Sequence, residues 1–486
     1  MRLIEELKKI LAAGAASSMT FNEFLEVEIK RWKASPQRKL MITGKRYYDG
    51  DHDILSRKRE VIVENGARME DINLPNNKLV DNQFAKMVDQ KTNYLLSKPI
   101  TYESEDEAYN ELLADILGAG FQRKLRNVGI DAFCGGGSWV YVYIGDDSKL
   151  KFQRFSPWEV LPFWKDSDHD ELDCAVRVYE VEAYEGRELK TIEKVEVFKV
   201  DGLERYVWKD GKLIPDVDNP TENYIKYGEV EYNWERIPLV FFRNNAQEIP
   251  LIKKVKGLQD ALNKMLSDFP NAMEENAGGQ SILIIKNYDG TNLGEFRRNL
   301  ATYRAVKVKT QDGADGGLDS LHIEVNAANY ETILKLLKKA IIENAMGYDA
   351  KDDRIGGNAN QMNIKSMYSD IDLAANEMET EYQASFVQLL ELVDAYLLST
   401  NKGDHRSKPV TITFNRDMIL NDIEIINSLV SLGVKVSNET LLGQLPFINN
   451  VQKELDRVDK EAEKNIDMYG GAFNQQGGEG NKEGEE

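Results

Sequence analysis

A block of β-type sequence between residues 138 and 244 constrains the fold most, because helical sequence surrounds it on both sides. Its β-branched and aromatic runs are separated by Gly, Asp and Pro: SWVYVYI, LKFQRF, DCAVRVYEVEAYE, TIEKVEVFKV, ERYVWKDGKL and IPLVFF. Such runs predict strands, and KDGK at 209–212 predicts a tight hairpin. The block therefore predicts a mostly antiparallel β region within an α+β, mainly helical protein.

The rest of the chain shows helical periodicity. Thr20 followed by Glu23 has the spacing of a capping box, which predicts that a helix begins there. A second helix is predicted at 81–96, where four apolar residues fall near helical spacing: Phe84, Met87, Val88 and Leu95. A long helix is predicted from about 363 to 400, on the order of 55 Å in length. PVTITFNR at 409–416 predicts a strand.

Two amphipathic helices are predicted from about residue 250 and from about residue 328. Their apolar positions are Leu251, Ile252, Val255, Leu258, Leu262, Met265, Leu266 and Phe269 in the first, and Ile333, Leu334, Leu337, Ile341 and Ala345 in the second. A small α/β excursion at 277–326 separates these helices, with β-type runs at 281–286 and 304–309. Strands this short are not stable alone, so we expect them to pair within or between subunits.

The charge balance and the cysteines limit the classes of function. The 486 residues carry 62 Lys and Arg against 82 Asp and Glu, a net charge of −20. Tight wrapping of nucleic acid needs many cations on phosphate, so any contact with DNA is expected to be local or weak. Cys134 and Cys174 are two isolated thiols, which predict a reduced chain. No apolar run approaches the roughly 18 residues of a membrane span, so no membrane contact is predicted.

Motifs of familiar catalytic sites do not occur in the sequence. GxxxxGK[ST], HExxH, CxxC and GxSxG are all absent from the printed chain. Its four histidines are scattered: His52, His169, His322 and His405. A lone histidine is more often structural or exposed than catalytic. We therefore predict no catalytic residue and no cofactor.

Two acidic clusters have the composition of cation sites. The first, DGDHDILSRKRE, places carboxylates at calcium-loop positions one, three, five and twelve: Asp49, Asp51, Asp53 and Glu60. Ile54 stands at the sixth position, where the sharp turn requires Gly. The second, DSDHDE at 166–171, has no second carboxylate cluster to complete a metal site. Solvated turns share this composition, so we predict no bound metal at either place.

The Gly- and Asn-rich stretch DDRIGGNANQMN at 352–363 interrupts two strongly helical segments. Gly and Asn tolerate positive φ and form turns readily, so a local break is expected. A surface connector without a further role is one interpretation, because loops in general are permissive. A loop that takes part in function is the alternative.

Several segments share their order and spacing with one family. They are YYDGDHDI at 47–54, NKLVDNQFAKMVDQKTNYLLSKPITY at 77–102, FSPWEVLPFW at 155–164, IPLVFFRNN at 237–245, LQDALNKMLSD at 258–268, and AIIENAMGYDAKDDRIGGNANQMNIKSMY at 340–368. Together these segments resemble the portal proteins of tailed bacteriophages, specifically the SPP1-type portal family. The resemblance covers nearly the whole chain.

The resemblance implies a phage portal fold with wing, stem, clip and crown regions. By similarity, the regions are 1–245, the α+β wing; 246–276, the first stem helix; 277–326, the clip; 327–347, the second stem helix; 348–362, the tunnel loop; 363–418, the long helix and a wing strand; and 419–466, the helical crown. Residues 467–486 are low-complexity and acidic, which predicts a disordered tail.

The resemblance also implies a function and a set of partners. Family members form a ring, usually of twelve subunits, at one vertex of the capsid, and they are not enzymes. Double-stranded DNA passes through the channel during terminase-driven packaging and again during ejection. The clip docks the terminase and later the head-completion or adaptor proteins, and the scaffolding and major capsid proteins are further implied partners. The implied locations are the virion and, during assembly, the host cytoplasm.

In the family, the tunnel loop projects toward DNA at the narrowest part of the channel. The DNA-facing residues implied for this chain are Lys351, Arg354, Gly356, Gly357, Asn358, Asn360 and Gln361. Family members often carry small residues after the Gly-Asn pair, whereas Gln361 and Met362 stand at the end of this stretch. The chain departs from the family pattern there.

The acidic composition is consistent with a conduit. Twelve subunits that each carry a charge of −20 would form a wall that repels phosphate, so that DNA slides without sticking. Two other classes of function remain as alternatives. A metal-dependent nuclease or other packaging enzyme would require a carboxylate cluster that binds Mg²⁺. A scaffold or adaptor protein of the virion would have no central channel.

Overall fold

The computed structural model divides into two compact units, residues 1–348 with 370–417 and residues 349–369 with 418–486. The residues that it describes are 19–62, 67–72, 74–217, 220–227, 230–277, 282–286, 317–321, 327–349 and 361–416, with further positions at 292, 294, 437, 442, 451–452 and 454–461. In the second unit, residues 361–369 and 454–461 are helical. The predicted acidic tail and most of the predicted crown lie outside the described residues.

The long helices lie close to their predicted positions. The helices are α1 (Phe21–Ala34), α2 (Pro36–Tyr48), α3 (Gln83–Leu96), α4 (Glu107–Ile116), α5 (Ala119–Gly135), α6 (Ile252–Ala277), α7 (Ala327–Asn344) and α8 (Gln361–Ser399). The predicted capping box is confirmed, because Thr20 Oγ1 accepts from the Glu23 backbone N–H at 3.3 Å and the Thr20 backbone N–H donates to Glu23 Oε2 at 2.8 Å. No helix among the described residues is long and apolar enough to cross a bilayer.

Strands fill the predicted β region and form a few short pairs outside it. They are β1 (Glu60–Ile62), β2 (Arg68–Glu70), β3 (Thr101–Glu103), β4 (Gly137–Ile144), β5 (Leu150–Phe155), β6 (Val160–Trp164), β7 (Leu172–Glu185), β8 (Glu188–Lys199), β9 (Gly202–Lys209), β10 (Lys212–Pro215), β11 (Thr221–Glu222), β12 (Ile225–Tyr227), β13 (Val230–Tyr232), β14 (Leu239–Arg243), β15 (Ile282–Lys286), β16 (Gly317–Leu321) and β17 (Thr411–Thr413).

The two larger sheets are antiparallel, as predicted. One has the order β10-β9-β8-β7-β6, with β11 on β9, and the other has the order β14-β4-β5. The predicted hairpin at 209–212 joins β9 to β10, with positive φ at Asp210 (50°) and Gly211 (78°). Positive φ at both central residues is the geometry that suits a two-residue turn to twisted strands.

Helix α1 covers one face of the larger sheet. Its Leu25 and Ile29 are fully buried among apolar residues of four strands: Val176, Val178, Val195, Val197, Tyr206 and Leu213. Removing this apolar surface from water stabilises the wall that the sheet and helix form, at about 25 cal/mol per Å² buried. The side of the sheet that α1 covers is called the near face below, and the opposite side is the far face.

Helix α8 packs against the smaller sheet along an apolar stripe. Met378, Tyr382, Phe386, Leu389, Val393 and Leu397 are all 0–1% exposed. The rings of Tyr382 and Phe386 meet Phe242 of β14 edge-on, with centroids 5.0 and 5.5 Å apart. The predicted strand near 410 is confirmed as β17, which pairs with β3.

The excursion between α6 and α7 is described only in part. The predicted strand at 281–286 is confirmed as β15, but its partner is β16 at Gly317–Leu321, which the periodicity did not indicate. The other predicted strand, 304–309, lies outside the described residues. A Gly-flanked run such as GLDSL carries little β propensity of its own, so pairing rather than sequence preference defines it as a strand.

Candidate functional site at the paired helices

Helices α6 and α7, the predicted stem helices, pack against each other. Phe269, near the end of α6, contacts Tyr330, near the start of α7, with ring centroids 5.0 Å apart. The predicted apolar stripe of α6 is buried in its first half, at Leu251, Ile252, Val255 and Leu262. Beyond Leu262, the fully buried positions among residues 263–274 of α6 are polar instead.

Four polar side chains at a spacing of four residues form a buried ladder on α6. This polar ladder consists of Gln259, Asn263, Ser267 and Asn271, each 0–1% exposed. The side chains face residues 75–82, an extended segment before α3 that we call the strap. Their oxygens accept hydrogen bonds from backbone N–H groups of the strap and of the first turn of α3: Phe84 at 3.0 Å, Asp81 at 3.1 Å, Leu79 at 2.9 Å and Asn77 at 2.7 Å.

The ladder works because two periodicities nearly coincide. Four residues of a helix rise about 6.0 Å, and two residues of an extended chain advance about 6.6 Å. The last three rungs therefore meet alternate strap residues, Asp81, Leu79 and Asn77, and the strap runs opposite to α6. Gln259 Nε2 also donates to the Asp81 carbonyl at 2.7 Å, so this rung satisfies both a donor and an acceptor of the backbone. Buried backbone groups need such partners, and the strap has no sheet to supply them.

Ion pairs at the strap extend the contact to α7. Lys338 Nζ on α7 lies 2.7 Å from Asp81 Oδ2, so one strap residue contacts both helices of the pair. Asn77 Nδ2 donates to Glu274 Oε1 on α6 at 2.8 Å. Arg57 lies 2.6 Å from Asp268 on the same helix. Directional polar contacts, in addition to apolar burial, thus hold the helix pair to the strap and to Arg57.

Three carboxylates of the acidic cluster at 49–60, those of Asp49, Asp51 and Asp53, are paired with cations. Asp53 lies 2.6 Å from Lys256 of α6 and also pairs with Arg46. Burial would raise the pKa of Asp53, but the hydrogen bonds from Lys256 and Arg46 outweigh burial and lower it to about 2. Asp49 pairs with Lys45 at 2.5 Å. The cluster anchors α2 to the start of α6.

His52 is buried within this cluster and contacts the Asn263 rung of the ladder. Its Nδ1 accepts from Asn263 Nδ2 at 2.8 Å, and its Nε2–H donates to the Tyr47 carbonyl at 3.0 Å. Burial lowers the pKa of His52, so the ring is neutral. The general expectation that a lone histidine is structural applies to His52.

The second acidic cluster, 166–171, forms a self-bonded turn. Asp166 accepts from the backbone N–H groups of Asp168, Asp170 and Glu171 at 2.8–3.0 Å. These backbone hydrogen bonds lower the pKa of Asp166. Across the part of the chain that the structure describes, no group of three or more His, Cys, Asp or Glu side chains is placed to hold a metal ion. Cys134 and Cys174 are buried free thiols.

The end of α7 is fixed to α3 by three hydrogen bonds. Lys91 Nζ donates to the Met346 carbonyl at 3.1 Å, while Gln90 exchanges two hydrogen bonds with the backbone of Tyr348, at 2.9 and 3.0 Å. Gly347 passes so close to α3 that an added Cβ would lie 2.6 Å from Met87 Sδ. Burial lowers the pKa of Lys91 to about 7, and the nearby charge of Lys254 acts in the same direction.

The predicted tunnel loop begins directly after this anchor. Residues 350–360, which include Lys351, Arg354, Gly356, Gly357, Asn358 and Asn360, lie outside the described residues. Gln361 is the first residue of α8. The structure therefore describes both flanks of the predicted loop, the anchored turn at Met346–Tyr348 and the long helix, and the assignment of DNA-facing side chains stays a prediction.

Comparison with known proteins decides the family. The sequence profile of the family described as "Phage portal protein, SPP1 Gp6-like" matches residues 32–468. The chain belongs to this family of phage portal proteins. It is 27% identical over 448 residues to the portal protein of Bacillus phage SPP1, covering 90% of this chain and 87% of that protein. It is 26% identical over 430 residues to the portal protein of Clostridium phage phiCD119, covering 86% and 91%.

The family membership confirms the resemblance read from the sequence. The polar ladder and its strap fall within the matched range, as do the anchored turn and the long helix. The ladder itself was missed at the sequence level, although a signal was present. A Gln, an Asn, a Ser and a second Asn recur every four residues on one face of the predicted helix.

Proposed function

We propose that the chain is the subunit of a ring, with twelve copies, that forms the portal at one vertex of a phage capsid. The family match over most of the chain is the observation that carries this proposal. The ring acts as a conduit for double-stranded DNA during packaging and ejection, and it has no catalytic activity of its own. Its partners are the terminase, the head-completion proteins, and the scaffolding and major capsid proteins.

Helices α6 and α7 serve as the stem in this proposal. Each bears apolar side chains that the single chain leaves exposed: Leu336 is 62% exposed, Met273 51% and Ile333 39%. Ile333 belongs to the apolar stripe predicted from the sequence, yet it does not pack within one subunit. Neighbouring stems in a ring would cover such positions, because apolar burial is the main favourable term in association.

The loop at 348–362 acts as the tunnel loop. Its entrance is held by Gln90 and Lys91 of α3, so movement would concentrate in the residues beyond Tyr348. Gly356 and Gly357 supply a hinge of low conformational cost. Lys351 and Arg354 make salt-screened contacts with phosphate, and Asn358, Asn360 and Gln361 offer hydrogen bonds without a fixed register.

The excursion at 277–326 acts as the clip that docks the terminase. Deleting residues 287–303 removes the sequence that follows β15 while keeping both β15 and β16, whose pairing closes the excursion. The stem helices should remain folded, and terminase docking or ring closure should be lost. Normal DNA packaging by the deletion variant would refute the assignment of the clip.

Negative-stain imaging of the purified full chain tests the proposed function. Rings with a central channel are expected, without cleavage of DNA when Mg²⁺ is added. A particle without a channel would instead indicate a scaffold or adaptor protein. Metal-dependent cleavage that disappears with a chelator would indicate a packaging enzyme.

A further inference from the structure

One end of the larger sheet extends beyond its neighbours as a two-stranded ribbon. Strand β6 pairs with β7 only as far as Arg177, and β9 pairs with β8 only from Glu193. Residues 181–192 therefore form a hairpin of β7 and β8 without a third strand among the described residues. Two large side chains lie directly opposite each other near its tip, with Tyr184 76% exposed and Leu189 51% exposed.

The near face of this end is acidic. Side chains alternate along a strand, so Glu180, Glu182 and Tyr184 follow Val176 and Val178 on the side that α1 covers. Glu193 lies opposite Glu180 on the same face. Lys33 of α1 pairs with Glu193 at 2.5 Å, but Glu182 lies farther toward the tip and is exposed.

On the far face of the same end, the hairpin of β9 and β10 is basic. Lys209 and Lys212 lie directly opposite each other across β9 and β10, and both are exposed. Like charges in this position repel each other. Lys194 of β8 also lies on the far face, but its Nζ is paired with Asp216 Oδ2 at 2.8 Å, so Lys209 and Lys212 carry the positive charge there. The exposed Ile214, at 45%, shares the face with Lys212.

Because the two faces carry opposite charges, the near face of one copy complements the far face of another copy. We propose that, in the ring, the acidic near face of one ribbon packs on the basic far face of the sheet in the neighbouring copy. Glu182 would approach Lys209 and Lys212, and Tyr184 with Leu189 would cover Ile214. A contact between two different surfaces of identical chains propagates in one direction, and it closes into a ring when the rotation between neighbours divides a full turn.

This inference rests on the proposed ring, whose other contacts involve the stem. The ribbon contact adds a second, electrostatic interface at the wing, far along the chain from α6 and α7. Electrostatic complementarity mainly sets register and excludes wrong partners, because like charges brought together oppose association. The ribbon contact would therefore fix the register of neighbouring wings.

A charge-swap experiment on the full chain tests the proposal. The first variant carries Glu180→Lys and Glu182→Lys, the second carries Lys209→Glu and Lys212→Glu, and the third carries all four changes. A control pair, Glu105→Lys with Lys149→Glu, reverses exposed charges elsewhere. All affected side chains are exposed, and thermal unfolding of each variant checks that its fold is kept.

The first two variants should each raise the concentration needed for half-assembly on the order of tenfold in 0.1 M salt, because like charges then face each other. The third should restore assembly to within about threefold of the parent chain, and the control should leave it unchanged. Ring formation by all variants alike, or no recovery in the third, would overturn the ribbon contact while leaving the ring intact. A parent chain that forms no ring would overturn the proposed function itself.

Discussion

Asn271 Oδ1 accepts a hydrogen bond from the backbone N–H of Asn77 at 2.7 Å, joining the far end of α6 to a strap 194 positions earlier in the chain. This contact is the last rung of a ladder that begins at Gln259. In a sheet, the backbone of a neighbouring strand would accept these hydrogen bonds. Here the side chains of α6 accept them instead. Helix α6 is thereby fixed in register with the strap.

The ladder predicts a large loss of stability when its centre is removed. Asn263→Leu keeps a similar volume but leaves the Asp81 N–H and His52 Nδ1 without partners in a buried site. We expect unfolding free energy to fall by about 2–4 kcal/mol, since each buried unsatisfied group costs about 1–3 kcal/mol. Urea unfolding followed by tryptophan fluorescence measures the change. The adjacent exposed position gives the control, Lys264→Gln, with an effect within about 0.5 kcal/mol.

The lowered pKa of Lys91 predicts that the free energy of unfolding rises with pH. Its folded pKa of about 7 lies below the unfolded value of about 10.4, so the unfolded chain binds more protons between these pH values. Stability from this site is therefore complete above about pH 10.4 and is lost as the pH falls toward 7. The slope is at most about 1.4 kcal/mol per pH unit.

Comparing the parent chain with Lys91→Met isolates this slope. Lys254 and Glu377 also contribute charge near Lys91, but they are present in both proteins. Urea midpoints from pH 7 to pH 10 should rise more steeply in the parent than in the variant. Parallel slopes would show that Lys91 is not neutral in the folded chain at high pH.

Substituting Ala for Gly347 should lower stability, whereas the same substitution at an exposed helical glycine should raise it. An added Cβ at Gly347 would lie 2.6 Å from Met87 Sδ and 2.8 Å from Gln90 Oε1, which already accepts from Tyr348. Gly347→Ala should cost about 1–3 kcal/mol by forcing the turn away from α3. Gly257→Ala, in α6 with no atom within 4 Å of the new Cβ, should stabilise by about 0.5–1 kcal/mol. Thermal or urea unfolding of the two variants should therefore shift in opposite directions.

The tunnel-loop hypothesis predicts a variant that assembles but packages poorly. Gly356→Val with Gly357→Val resists positive φ and stiffens the proposed hinge. Ring formation should be unchanged, and the rate or completeness of DNA packaging should fall. Full-length packaging at the normal rate would mean that the loop is only a connector.

The local elements were largely predictable, because they follow from periodicity and capping. The helix at Thr20, the hairpin at Asp210–Gly211 and the long helix through Tyr382 all lie where short-range patterns place them. The family was predictable for a different reason, since motifs in a fixed order are matched as a set.

Long-range polar pairing was not predictable from the same patterns. The rungs Asn263 and Ser267 sit where an amphipathic helix normally exposes polar residues, so periodicity assigns them to solvent. Only the strap, about 180 residues away, makes their burial favourable. The partner of β15 was missed for a similar reason. Ile333 was placed on the apolar stripe of α7, and a single subunit leaves it 39% exposed.

Native mass spectrometry of the purified full chain, at several protein and salt concentrations, tests the central claim most directly. A closed ring predicts one dominant species whose mass is a fixed whole-number multiple of the chain mass, twelve in the proposed portal, and which persists on dilution into moderate salt. A strictly monomeric species at high concentration in every salt would contradict the ring and with it the proposed conduit for DNA.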